Sequence, residues 1–464
     1  MNFTVRGLRV LVPAAAAILL SSTPAGAVAA APGFGAPVDL AAPSSAVVGE
    51  PAVAVTASGR VVAAWDQQFS SHSFGIVVRR GAVSGRFGAP ERVSLSGGSP
   101  SVAAGGGAAV VWQAFARGGT RRVQVAVARG QGRFGRPQTL VSVRANVVAQ
   151  QVLAVGDHYL AIWWQGVPGA GRHAVRYAIS DRSGRFGAVR TLAPNTGPLS
   201  AVSAAAAPDG TVTAAWGTPL GGTPATNQQL AYATLAPGAK AFGPAQGVRA
   251  VAADQGAETE GIQVTAGPGG TALTWTEAGA FPELLRAAQL VPGSMPTPQT
   301  VLSLDSTDLG KRYATGPALA LPGHGSAPVA GYAIFEGPGG ESEQVTGGRV
   351  YAVAQRSDGT HGDPVQLSAP GTIATQPAAG ATSTSTVVAW TTGAFPRYGL
   401  RYAVRSPSGT FGPARPLTTG FAERQATLAS SPHAVVAVWV SRAGTPGPHP
   451  SGGKHGIALA ILHG

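Results

Sequence analysis

Gly85-Arg86-Phe87-Gly88-Ala89-Pro90 reads GRFGAP, and Gly33-Phe34-Gly35-Ala36-Pro37 reads GFGAP. A phrase written twice asks whether it is a period, because a repeat of about 20–50 residues dictates the architecture. Relatives follow at Gly132–Pro137 (GRFGRP), Gly184–Gly187 (GRFG), Ala241–Pro244 (AFGP) and Gly409–Pro413 (GTFGP). Two degenerate copies start at Gly293, where Met295 replaces the ring, and at Gly359, where His361 does. The recurring rings are Phe34, Phe87, Phe134, Phe186, Phe242 and Phe411.

A second signal runs out of phase with the first. Short Val/Ala runs end in Trp65, Trp112, Trp163, Trp216, Trp275, Phe335, Trp390 and Trp439. A PxVA-like run precedes each aromatic, and a run such as VQVAVAR from Val123 follows it. Each run is short, rich in β-branched and aromatic residues and bounded by turn residues, which is the signature of strands. No sustained 3.6-residue period appears, so helix is expected to be scarce.

Four strands per unit of about fifty residues predict an all-β propeller. Eight aromatics predict eight four-stranded blades, with seven left open if residues 250–370 conceal a merged pair. The last unit has three runs and lacks its FGxP strand, whereas GFGAPVDLA precedes any other strand. The N-terminal strand is therefore expected to complete the last blade. The eight aromatics are read as wedges between blades, and the glycines of GxFG as members of a tight turn.

Residues 1–29 carry Arg6 and Arg9, then an apolar run, then Ala27-Val28-Ala29. That pattern is a secretory signal. Residues 30–464 are expected to form the propeller, secreted and extracellular or wall-associated. No run is long enough to span a bilayer. The chain has no cysteine, which excludes thiol nucleophiles and thiolate metal sites. The net charge of +13 comes almost wholly from dispersed arginine and favours acidic partners. A wall or acidic polysaccharide, or a surface protein, fits better than nucleic acid, since no dense basic run exists. A monomer is the default state.

SDRSGRFG from Ser180 and SPSGTFG from Ser406 resemble the Asp-box turn of sialidase-like propellers. The whole repeat resembles the secreted sialidase-like repeat proteins of actinobacteria. The resemblance covers nearly all of residues 30–464 and implies the fold and an extracellular location. It does not supply the family's catalytic set of three arginines, a Tyr/Glu pair and an acid/base Asp. The Arg-Ile-Pro stretch is absent, and the family has six blades.

Two kinds of connection, D–A between blades and B–C within them, share one end of a propeller. Glu258, Glu260, Asp305, Asp308, Arg312, Glu336, Arg397, Glu423 and Arg424 fall in or beside these connections. They are the candidate ligand-binding residues, because loops on a rigid scaffold carry binding groups. Their carboxylates could bind Ca²⁺ or form a glycosidase pair, and read otherwise they are solvated loop charges. No cofactor motif or catalytic residue is identified. Three functions stay open: a non-catalytic binder of glycan or protein, a glycan-cleaving hydrolase or lyase, and a structural surface module.

Overall fold

A computed structural model describes residues 32–464 except 47, 72, 168–172, 197–201, 220–228, 250–257, 268, 279–282, 292–293, 295, 305–311, 324–327, 337–346, 357, 394–397, 419, 423–425 and 444–453. The signal-like segment lies outside the described residues. Eight antiparallel sheets form eight blades in a ring. Strands are lettered A to D from the inside outward. Blade 1 is Ala52–Val55, Arg60–Ser70, Ser73–Ala82 and Glu91–Arg92. Blade 2 is Gly98–Ala104, Ala108–Phe115, Arg121–Ala128 and Gln138–Val143. Blade 3 is Val147–Val155, His158–Gly166, His173–Ile179 and Arg190–Thr196. Blades 4 to 7 begin at Ser203, Glu258, Arg312 and Ala374.

The last blade closes as expected. Its A position is shared by Phe421–Ala422 and Thr427–Ser430, followed by Ala434–Ala443 and Lys454–His463. Its outer strand is Val38–Ser44, paired antiparallel with Lys454–His463. Phe34 adds a bridge to Leu462, and its N–H donates to the Tyr402 hydroxyl of blade 7. Among the described residues no helix is long and apolar enough to cross a membrane.

The apolar core is divided by the blades. Among the described residues it falls into eight clusters, each built from two neighbouring blades. Trp65, Trp112, Trp163, Trp216, Trp275, Trp390 and Trp439 are all buried within these clusters. The side chain of Phe335 lies outside the described residues. Three of the indoles share a polar solution: Trp65, Trp163 and Trp275 each donate Nε1–H to the residue two further on, Gln67, Gln165 or Glu277. Such a partner satisfies the buried indole N–H, and the position two along a strand lies on the same face; the buried Trp112 Nε1 has no such partner among the described residues.

The repeated FG phrase forms the C–D turn. Gly85 and Gly184 hold φ of 80° and 77°, where a β-carbon would be strained. The following Phe bridges back to strand C, as Gly81 with Phe87 and Ala128 with Phe134. Its ring packs towards the preceding blade: Phe134 joins the cluster between blades 1 and 2, and Phe242 meets Tyr177 of blade 3 edge-on at 5.1 Å. In SDRSGRFG the Asp181 carboxylate accepts the Arg185 N–H at 3.0 Å. Hydrogen bonds from the Ser183 side chain and then this N–H hold the Asp181 carboxyl below its ordinary range.

The A strands carry a second regularity. Pairing with strand B slips by one residue between Gly98 and Ser101, Val148 and Gln151, Glu260 and Gln263, Thr315 and Ala318, and Thr375 and Ala378. These are β-bulges, and the Pro of the PxVA run falls inside three of them, at Pro100, Pro317 and Pro377. Proline fits a bulge because it withdraws a donor from the ladder. Among the described residues the two non-glycine residues at positive φ are Ser99 (51°) and Gln376 (50°), both inside these bulges.

Candidate functional site

Antiparallel order fixes which groups can meet. The A–B and C–D turns lie at one end of each blade, and the B–C and D–A connections at the other. The eight A strands line a central cavity of about 620 Å³. Its lining is mostly Ala, Val and Leu, with Gln151, Gln263, Thr265, Thr427 and Ser430 among the polar exceptions. None of these lining residues is titratable.

Several polar side chains of the A strands are engaged in holding blades together. The inner edge of each A strand has no further strand to pair with, and its backbone groups need partners. Ser101 Oγ accepts the Val152 N–H (3.2 Å), Gln151 Oε1 accepts that of Ala204 (2.8 Å), and Ser203 Oγ accepts that of Val264 (2.9 Å). Ser430 Oγ accepts the Ala381 N–H at 3.0 Å. Each bond joins neighbouring blades. The channel is a braced axle with no acid or base in its described lining.

The candidate residues from the sequence are not brought together by anything described. Asp305, Asp308, Arg397, Glu423 and Arg424 lie outside the described residues. Glu258, Glu260 and Arg312 belong to A strands and Glu336 ends a B strand, while their side chains are outside the described residues. Two further B–C carboxylates belong to strands rather than loops. Glu283 opens strand C of blade 5. Glu277 is fully buried at the end of strand B, 3.4 Å from Arg286 Nε, which is itself 6% exposed. This pair is a structural ion pair, not a solvated loop charge.

A different group stands at the B–C end of blades 1 and 2. Phe115 ends strand B of blade 2 and is 59% exposed. Arg121 faces it across the hairpin, with its guanidinium carbon 5.1 Å from the ring centre. Arg122 follows, Arg117 sits on the connecting turn, and both are exposed. Arg144 ends the same edge, its Nη2 3.8 Å from where a β-carbon on Gly118 would stand. In blade 1 the guanidinium of Arg92 lies 5.4 Å from the Phe69 ring, beside the exposed Phe74 and Leu95. An arginine stacked on a ring keeps its N–H edge free to bind a planar anion with two bonds. The arrangement can hold carboxylate or sulfate against an apolar surface. Among the described residues no group of His, Cys, Asp and Glu could hold a metal.

Sequence reasoning passed over this patch because it counted charge over the whole chain. Taken by repeat, the signal is plain. Between Arg60 and Arg190 stand 17 arginines and four carboxylates, and the rest of the chain carries 16 basic and 16 acidic residues. The entire net charge belongs to blades 1 to 3.

No protein-family profile matches the chain, and no curated protein sequence matches it. Similar solved structures include an ulvan lyase, a polysaccharide lyase (11% identity, 90% of this chain and 94% of that one, TM-score 0.45). The β-propeller domain of the Trilobed protease from Pyrococcus furiosus is similar at 10% identity over 81% of this chain and 96% of that one, TM-score 0.43. A neuraminidase-like protein of a little yellow-shouldered bat isolate from Guatemala is similar at 9% identity over 82% and 99%, TM-score 0.40. None of these likenesses bears on the chemistry of the patch.

Proposed function

We propose that the protein is an extracellular, non-catalytic propeller that holds an acidic glycan against the B–C end of blades 1 and 2. The observation that carries this reading is the exposed Phe115 ring among Arg117, Arg121, Arg122 and Arg144. The ring offers an apolar face to a sugar, and the guanidiniums offer paired donors to its carboxylate or sulfate. The signal-like start of the chain supports an extracellular address. No calcium or other cofactor is assigned to the patch.

The test is calorimetric titration of residues 30–464 with oligogalacturonates and sulfated oligosaccharides. Phe115→Ala and Arg121→Ala should each weaken binding about tenfold and leave the melting temperature unchanged. Prolonged incubation should release no new reducing ends or unsaturated sugars; their release would move the protein to the glycan-cleaving class. Equal binding by both variants would remove the patch from the function.

A further inference from the structure

The opposite end of the same three blades carries a second cationic surface. Arg86, Arg133 and Arg185 occupy the same place in the repeat, immediately before the turn Phe, and all three are exposed. The place is taken by Gly33, Ala241, Thr360 and Thr410 in other copies of the phrase. Arginine therefore recurs there in three consecutive blades and then stops. Arg129, Arg136 and Arg182 are exposed on or beside the same turns.

The turns are clipped into one rim. The Phe134 N–H of blade 2 donates to the Glu91 carboxylate of blade 1 at 2.8 Å. The Phe186 N–H of blade 3 donates to Gln138 Oε1 of blade 2 at 3.0 Å, and Gln138 Nε2 returns a bond to the Gly184 carbonyl at 3.1 Å. Arg129 donates twice to the Ser183 carbonyl of blade 3, at 2.9 and 2.7 Å. Glu91 and Gln138 open the D strands of consecutive blades, so the clip is itself a repeat.

The acids on this rim are already engaged. Glu91 binds Phe134 N–H and lies 3.3 Å from Arg80, with Arg133 at 3.6 Å. Asp181 closes its own turn, and Asp157 lies 3.8 Å from Arg182. The pairs of Arg133 and Arg182 are open to solvent and weakly held, since those side chains are 90% and 82% exposed. Their guanidiniums can turn to an incoming anion.

We propose that the C–D turns of blades 1, 2 and 3 form a cationic track for an extended acidic polysaccharide. Equivalent arginines at one repeat position in consecutive blades match a polymer with repeating charge better than a single small anion. Arginine suits carboxylate and sulfate because its donors lie in a planar fork. The aromatic rings of these turns pack against the clusters between blades instead of standing out beside the guanidiniums as platforms for nucleic-acid bases. This surface is separate from the Phe115 patch, and the two stand or fall independently.

The experiment compares Arg86→Ser/Arg133→Ser/Arg185→Ser with its parent, both carrying Phe115→Ala to silence the other end. Binding to dextran sulfate and polygalacturonate is measured at several salt concentrations. The triple variant should bind at least about tenfold more weakly. Its plot of log affinity against log salt should be shallower by about two to three, if each lost contact releases close to one counterion as on other polyanions. The matching triple Arg→Lys variant keeps the charge and loses the planar fork, so it should recover the salt slope and part of the affinity, which also shows that the fold is intact. Unchanged affinity in the Ser variant would overturn the proposal, as would equal binding of neutral dextran. Tighter binding of a DNA duplex than of either acidic polysaccharide would overturn the choice of partner.

Discussion

At the scale of single residues, the indoles fill the interfaces between blades, and two partly buried histidines predict a loss of stability in acid. Trp163 is fully buried between blades 2 and 3, and its Nε1 bonds Gln165 at 2.9 Å. Trp163→Ala should cost about 3–5 kcal/mol in chemical denaturation, the usual range for truncating a large core aromatic. His361 stands where most other copies of the turn have Phe. Burial lowers its pKa, partly offset by a hydrogen bond to the Thr300 backbone. The unfolded chain then takes up this proton before the folded one does. Stability should be insensitive to His361 above about pH 6.5, and should fall as the pH drops from there through the folded value. Thermal melts from pH 7.5 to 5 should show a smaller loss for His361→Phe than for the parent. His173, likewise lowered by burial, would keep part of the effect.

At the scale of strands and turns, the sequence was legible wherever a local rule had to be obeyed in every blade. The first glycine of the turn phrase holds positive φ at Gly85, Gly184, Gly359 and Gly409, so glycine recurs and marks the period. The indole demands volume between blades, so Trp recurs. The PxVA proline was visible too, although its meaning emerges only from the register slip beside it. The bulge makes its own prediction. Gln376 is exposed and holds φ of 50°, a conformation that costs a side chain about 1–2 kcal/mol. Gln376→Gly should raise stability by up to about 1 kcal/mol, because relief of that strain outweighs the added freedom of the unfolded chain. A fall in the denaturation midpoint would show the strain to be absent. The groups at the B–C end obey no such repeated rule. Phe115 looks like any other apolar strand residue until the end of its hairpin is placed in solvent. The carboxylates chosen from the sequence belong to the B–C and D–A end of the blades, but length and polarity of a loop do not say which groups converge.

At the scale of the ring, eight interfaces replace one core, and the strand Val38–Ser44 completes the last of them. A chain beginning at Ala46 would leave Lys454–His463 as an open outer edge. Such edges recruit other strands. Light scattering after gel filtration should find this truncated chain associated, and residues 30–464 monodisperse. Charge also belongs to this scale. Blades 1 to 3 hold the whole positive excess, so the molecule has an electrical side as well as two ends, and salt should weaken its encounters with acidic polymers through that sector first.

The shared last blade has a bearing on how the protein is made. Its outer strand precedes every other strand of the ring, and its remaining members follow all the other blades. While the chain grows, Val38–Ser44 has no mate, and the rest of the ring can stack only as an open arc. Closure must wait until His463 is available. A nascent chain of this design therefore stays unlatched until Lys454–His463 has been made, and that ten-residue strand acts as the catch.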